Sequence, residues 1–215
     1  MTAVDIVVID YGVGNLLSVK RGFEHCGATV SVTSDHEKIL QASAVVLPGV
    51  GAFRNAMKAL QDQGLIDVIY RVAHQKTPLL GICLGMQLLL DESEEFGLTG
   101  GLGLIQGRVI PIPQNTTEGG LQKIPHIGWN ELLVANNSEE WDQSLLNNVS
   151  PGDSTYFVHS YMAVPDNQSN IVSNCLYGGH KIAAVIRRDN ITGCQFHPEK
   201  SGNVGLDILR SFIPK

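Results

Sequence analysis

Between Pro78 and Leu90 the chain reads PLLGICLGMQLLL, an uncharged run too apolar to stand in solvent and interrupted by two glycines. Leu79, Leu80 and Ile82, opened by Pro78, form a short continuous apolar strand signal suited to the buried middle of a parallel sheet. Leu84, Met86, Gln87 and Leu88 to Leu90 continue with helix formers that run into the acidic stretch Asp91 to Glu95. Cys83 stands at the junction, with Gly81 and Gly85 two residues either side, the spacing of an elbow that exposes a nucleophile between strand and helix. Glycine suits both flanks because neighbouring backbone approaches closely there. The helix behind the elbow would turn unpaired N–H groups and a positive dipole end toward the sulfur, favouring thiolate. The stretch alone leaves a second reading open, in which Cys83 is a small buried hydrophobe.

Upstream, strand signals at Asp5 to Asp10, Thr29 to Thr33 and Ala44 to Leu47 alternate with helical segments. The first helix ends near Gly27, and the second, capped by Ser34 or Asp35, runs through Ile39 and Leu40. Phe53 to Gln63 and Leu65 to Val72 follow, with Gly64 between them. This βαβαβαβ order predicts an α/β fold, a doubly wound, mostly parallel, flavodoxin-like sheet flanked by helices and joined by right-handed crossovers. The first turn, Tyr11 to Asn15, invites a dinucleotide-binding reading, but Leu17 occupies the place of the third glycine. Pro48, Gly49, Val50 and Gly51 close the third strand at its carboxyl end, where open sheets place ligands. Their backbone N–H groups could turn toward an anion as an oxyanion hole requires, or the loop could be a plain strand-to-helix turn.

Past Glu95 the texture changes. Gly97, Gly100, Gly101, Gly103 and Gly107 punctuate short apolar pieces such as Val109 to Ile112, which predicts β-hairpins. Gln114 to Gly120 reads as a polar loop. Lys123 to Asn130 is a proline and aromatic cluster without periodicity, either a buried corner or a surface for a partner. Glu140 to Leu146 suits a helix. Tyr156 to Tyr161, Ile171 to Cys175, Ile182 to Ile186 and Ile191 to Phe196 suit strands, and Val204 to Phe212 suits a closing amphipathic helix. An antiparallel β portion is thus added to the parallel sheet, and with no linker or repeat the 215 residues are expected to form one domain, 1–215.

Composition narrows the partners. A net charge of −6 argues against nucleic acid. No apolar run approaches the roughly 20 residues that span a membrane, and Val4 to Ile9 is too short and lacks the basic start of a secretory signal, so a cytoplasmic protein is expected. Cys26, Cys83, Cys175 and Cys194 show no C-x-x-C pairing, so neither a metal site nor a disulfide framework is expected.

A thiolate nucleophile needs a base that can later protonate the leaving group, and that base needs an orienting acid. Of the seven histidines, only His197 precedes an acid in a rigid extended setting, because Pro198 disfavours helix at His197 and lets Glu199 project to the same side. The pair is also compatible with an ordinary surface turn.

Taken together, GICLG around Cys83 and HPE at His197 to Glu199 resemble the class I, or triad, glutamine amidotransferases. More narrowly, IDYGVGN, PGVG, GICLGMQLL, KIPHIGWN, YFVHSY and GCQFHPEKSG resemble the glutaminase subunits of imidazole glycerol phosphate synthase, over nearly the whole chain. The resemblance implies that Cys83 attacks the glutamine carboxamide, His197 shuttles the proton and Glu199 orients the histidine. It implies an oxyanion site at the Leu84 amide and the Gly49, Val50, Gly51 loop, and substrate binding by Gln87, Ser160 and Tyr161. It implies no cofactor.

It further implies a heterodimer with a separate (β/α)8 cyclase subunit, which uses the ammonia to make imidazole glycerol phosphate and an aminoimidazole carboxamide ribonucleotide. Asn15, Pro125, Ile127, Trp129, Asn130 and Lys200 would lie toward that partner. Two other readings keep the same elbow: a paralogous amidotransferase subunit with another acceptor, and a stand-alone cysteine hydrolase.

Overall fold

A computed structural model describes residues 5–135, 141 and 143–214. Its spine is an eight-stranded sheet in the order β2-β1-β3-β4-β14-β13-β12-β9. The first five are β2 (Thr29–Thr33), β1 (Asp5–Ile9), β3 (Ala44–Gly49), β4 (Leu79–Cys83) and β14 (Ile191–Cys194), and they run parallel. β13 (His180–Arg188), β12 (Ile171–Tyr177) and β9 (Leu133–Val134) extend the same sheet antiparallel. The parallel order is that of a flavodoxin-like doubly wound sheet.

Alternation along each strand decides which helix covers which face. Val7, Ile9, Val45 and Leu47 pack with residues of α2 (His36–Gln41), α3 (Phe53–Asp62) and α4 (Leu65–His74). Ile6, Val8, Val46, Leu80 and Ile82 pack on the other face with Val19 and Phe23 of α1 (Leu16–His25) and with Ile208 and Leu209 of α6 (Gly202–Phe212). Burying both faces is what turns these strands into nearly continuous apolar runs. Asp35 caps α2, its carboxylate accepting from the Lys38 N–H at 3.1 Å.

Two small sheets sit beside the spine. β11 (Tyr161–Pro165), β7 (Gly107–Pro111), β5 (Glu92–Ser93) and β6 (Thr99–Gly100) form one; β10 (Ser154–His159) and β8 (His126–Glu131) form the other.

Five expectations are corrected. The helix after Cys83, α5, covers only Leu84–Leu88. The carbonyls of Leu88, Leu89 and Leu90 instead accept from the N–H groups of Leu102, Leu104, Ile105 and Gly103, so a tertiary loop takes the bonds that further helix would have made. β5 and β6 are a hairpin, but β7 pairs with β5 in parallel, not as a hairpin. The single strand expected over Tyr156 to Tyr161 breaks at Ser160 and its halves enter different sheets. Lys123 to Asn130 contains an ordered strand, β8. Of the helix expected over Glu140 to Leu146, Trp141 is helical, Glu140 and Asp142 lie outside the described residues, and Gln143 to Leu146 form turns and a bend.

Candidate active site

β3, β4 and β14 are parallel neighbours, so the chain leaves all three at one edge of the sheet. That edge collects the loop after Pro48, the cysteine elbow and the His197 to Glu199 segment.

Cys83 is the last residue of β4 and sits at φ 55°, ψ −111°, a left-handed backbone setting that side-chain-bearing residues rarely occupy. Close approach explains both flanking glycines. A Cβ on Gly85 would lie 1.8 Å from the Leu47 carbonyl oxygen, and one on Gly81 would lie 2.7 Å from the Gly85 backbone. The elbow is therefore folded tightly against β3, and Gly49 is paired with Cys83 in the ladder.

On the far side, His197 is extended, at φ −99° and ψ 96°, and Pro198 to Lys200 make a single 3₁₀ turn. That turn carries Glu199 back to the ring: Glu199 Oε1 lies 2.8 Å from His197 Nδ1, and the two side chains are 1% and 4% exposed. Ser201 pins the segment, donating from Oγ to the His197 carbonyl at 2.7 Å and accepting from the Tyr156 N–H at 3.0 Å. Among the described residues, His197 Nε2 makes no hydrogen bond of ordinary geometry. Burial alone would lower the pKa of the ring, but the Cys83 and Glu199 side chains outweigh it and raise the value to about 10. The Cys83 and Glu199 side chains thus hold the His197 proton more tightly than an isolated ring at that burial would.

The sulfur has two further partners. Cys83 Sγ lies 3.9 Å from the Val158 carbonyl oxygen and 3.8 Å from Gln195 Nε2. Tyr11, whose hydroxyl donates to the Pro48 carbonyl at 2.7 Å, is kept neutral by burial and by the nearby Cys83.

A cavity of about 380 Å³ opens over Cys83, near the lower end of the usual range for small-molecule sites. Of the residues anticipated from sequence it is lined by Val50, Gly51, Cys83, Leu84, Gln87, Pro125, Ser160, Tyr161, His197 and Lys200. Gly49 pairs with Cys83 in the ladder and Glu199 with the His197 ring, and neither is part of this lining. Asn15 is exposed at the start of α1, and Ile127, Trp129 and Asn130 lie along β8, outside the cavity wall. Glu95, Val158 and His159 also line it and were not anticipated. Neither was Gln195, which is fully buried and accepts from Gln87 Nε2 at 2.9 Å. The only cue to it was its place within GCQFHPE, one residue from Phe196 and two from His197.

β8 alternates in an inverted sense. His126 is buried, while Ile127 and Trp129 are 58% and 59% exposed. Opposite them on β10 stand Val158 and Tyr156, so an apolar strip runs from the cavity wall along the outer face of this two-stranded sheet.

A fold of this order with a cysteine, histidine and carboxylate gathered at the carboxyl ends of its strands defines a class, and the family model "Glutamine amidotransferase class-I" matches residues 7–214. Solved structures share the fold: PurLQS from Thermotoga maritima at TM-score 0.74, 19% identity and 98% coverage of each chain, and a glutamine amidotransferase crystal structure at 0.69, 16% identity, covering 93% of this chain and 94% of the other. The chain is 50% identical over 208 residues to imidazole glycerol phosphate synthase subunit HisH 1 of Legionella pneumophila, covering 97% of this chain and 98% of the relative. It is 48% identical to subunit HisH of Geobacter sulfurreducens, covering 96% and 97%. The chain belongs to the class-I glutamine amidotransferases and, within them, to the family of the imidazole glycerol phosphate synthase subunit HisH.

Proposed function

We propose that the chain is the glutaminase subunit of an imidazole glycerol phosphate synthase, hydrolysing glutamine to glutamate and ammonia for histidine biosynthesis. The observation that carries this reading is the buried His197–Glu199 pair, 2.8 Å apart, at the wall of a cavity into which a strained Cys83 faces.

The geometry suggests the order of events. Cys83 Sγ attacks the carboxamide carbon, and the oxygen gains charge beside the backbone N–H groups of Leu84 and of the Val50–Gly51 loop. The C–N bond breaks as His197 gives its proton to the nitrogen, and ammonia leaves a glutamyl thioester behind. Water then gives a proton to the same ring as it attacks the thioester, and glutamate is released. Glu199 keeps the Nδ1–H face of the ring occupied, so that Nε2 is the nitrogen that works on the substrate. Gln87, Ser160 and Tyr161 would hold the amino-acid end, and Glu95 adds a carboxylate to the same wall for its ammonium group.

Ammonia released into water would be protonated and diluted, which is why the reading includes a partner at the mouth of the cavity. The partner is a (β/α)8 cyclase subunit in a heterodimer, docked over Pro125, Ile127, Trp129, Asn130, Lys200 and Asn15. Exposed Ile127 and Trp129 are the apolar anchors that such a contact would use.

Glutamate formation by the chain alone should be slow and should rise strongly when a cyclase subunit and its nucleotide are added. Cys83→Ala should abolish it. Stimulated turnover that survives this substitution would rule the mechanism out.

A further inference from the structure

One backbone carbonyl, that of Tyr161, dictates the direction of an entire chain of hydrogen bonds ending at the nucleophile. A carbonyl only accepts, so both groups that reach it must be donors. Gln87 is one: its Nε2 lies 3.1 Å from the Tyr161 oxygen. His159 is the other, with Nδ1 at 2.8 Å. These contacts settle orientations that are otherwise ambiguous for amides and imidazoles.

With its nitrogen directed to Tyr161, Gln87 has one N–H left, and Gln195 Oε1 lies 2.9 Å from it. The Gln195 oxygen is therefore the acceptor, and its amide nitrogen is the atom that faces Cys83 Sγ at 3.8 Å. On the other branch, His159 is protonated at Nδ1, and burial keeps the ring neutral, its pKa lowered to about 3. Its Nε2 must then accept from His126 Nδ1 at 2.9 Å. His126, also neutral by burial, accepts at Nε2 from Asn130 Nδ2 at 3.4 Å. Donors run from Asn130 through His126 and His159 to the Tyr161 carbonyl on one branch, and from Gln87 through Gln195 to the sulfur on the other, and turning a member over sets donor against donor or acceptor against acceptor.

We propose that Gln195 is a further catalytic residue: its amide N–H, aimed by Gln87 and the Tyr161 carbonyl, donates to the Cys83 sulfur and stabilises it as the thiolate. A sulfur bearing negative charge accepts more strongly than a thiol, so a donor fixed before the reaction begins favours the reactive form without reorganising. This inference rests on Cys83 being the nucleophile of the reading above. It adds to that reading an amide donor aimed at the sulfur, independent of the histidine.

The test reads the sulfur directly. The rate of Cys83 alkylation by iodoacetamide is followed against pH by mass spectrometry of the Cys83 peptide, which separates it from Cys26, Cys175 and Cys194. Gln195→Met keeps the length of the side chain and removes the donor. Its alkylation profile should move to higher pH by about one unit, which lowers the rate about tenfold at any pH well below the midpoint. Gln195→Glu, which puts an acceptor where the donor was, should move it further. Circular dichroism and thermal unfolding identify any variant that has lost its fold, and the conservative Gln195→Met serves if Gln195→Glu does not fold. A folded Gln195→Met whose profile superimposes on that of the unsubstituted chain overturns the proposal. That result is distinct from failure of the proposed function, which would show as absence of glutamate formation by the unsubstituted chain with its partner and leaves the alkylation readout intact.

Discussion

The His197–Glu199 contact shows how much a single turn of backbone contributes. Residues two apart in an extended chain share a side, and the 3₁₀ turn at Pro198 to Lys200 then closes the carboxylate onto the ring. Without that acceptor the ring would be free to present the wrong tautomer to sulfur and substrate. Glu199→Gln keeps the shape and replaces the acceptor with an amide that can donate instead. Glutamine turnover should fall by as much as about 10⁴-fold, through kcat more than KM, while the thermal midpoint moves little. Steady-state kinetics on the partnered protein would check this, and a loss confined to KM would count against the orienting role. HPE was legible in the sequence as a base with its acid. The supporting roles of Ser201 and Gln195 were not, because they act through contacts with Tyr156, Gln87 and Cys83, remote in sequence, which a one-dimensional pattern does not display.

At the scale of elements, β4 and α5 were read from their residues, but the length of α5 was set elsewhere. Leu89 and Leu90 are good helix formers, yet their carbonyls bond to the 103–105 loop, and a tertiary contact overrides a propensity worth only a few tenths of a kcal/mol per residue. β8 escaped for another reason. Its period of two is present but inverted, with a histidine facing inward and Ile127 and Trp129 facing out, so the usual rule of apolar-inside gives no strand. The inversion is economical if the outer face is covered by a partner. Trp129→Ala should therefore leave folding intact and weaken binding of the cyclase subunit by about 2 kcal/mol, close to thirtyfold, measurable by calorimetric titration. Unchanged affinity would move the docking surface away from β8.

For the whole molecule, buried histidines couple stability to pH. His126 and His159 are held neutral, their pKa values lowered by burial to about 4 and about 3, whereas in the unfolded chain each titrates near 6.5. Above pH 6.5 neither state is protonated at these rings and their contribution is fully present. Between about 6.5 and 4 the unfolded chain binds protons that the folded chain refuses, so stability falls as the pH drops, by at most about 2.7 kcal/mol per pH unit for the two rings together. Urea denaturation at stepped pH should show a shallower slope for His126→Gln than for the unsubstituted chain; equal slopes would mean that His126 takes up its proton in the fold. The sequence by itself determined the doubly wound sheet, because strands buried on both faces must be apolar along their length and helices between them must be amphipathic. It also determined the elbow, since close backbone approach leaves only glycine beside Cys83. Only the tertiary structure decided that β14 lies beside β4, which brings His197 and Glu199 to the sulfur, and that one carbonyl orients two glutamines and two histidines. Pairing between distant strands and the direction of a hydrogen bond depend on three-dimensional neighbours, and local residue preferences do not encode them.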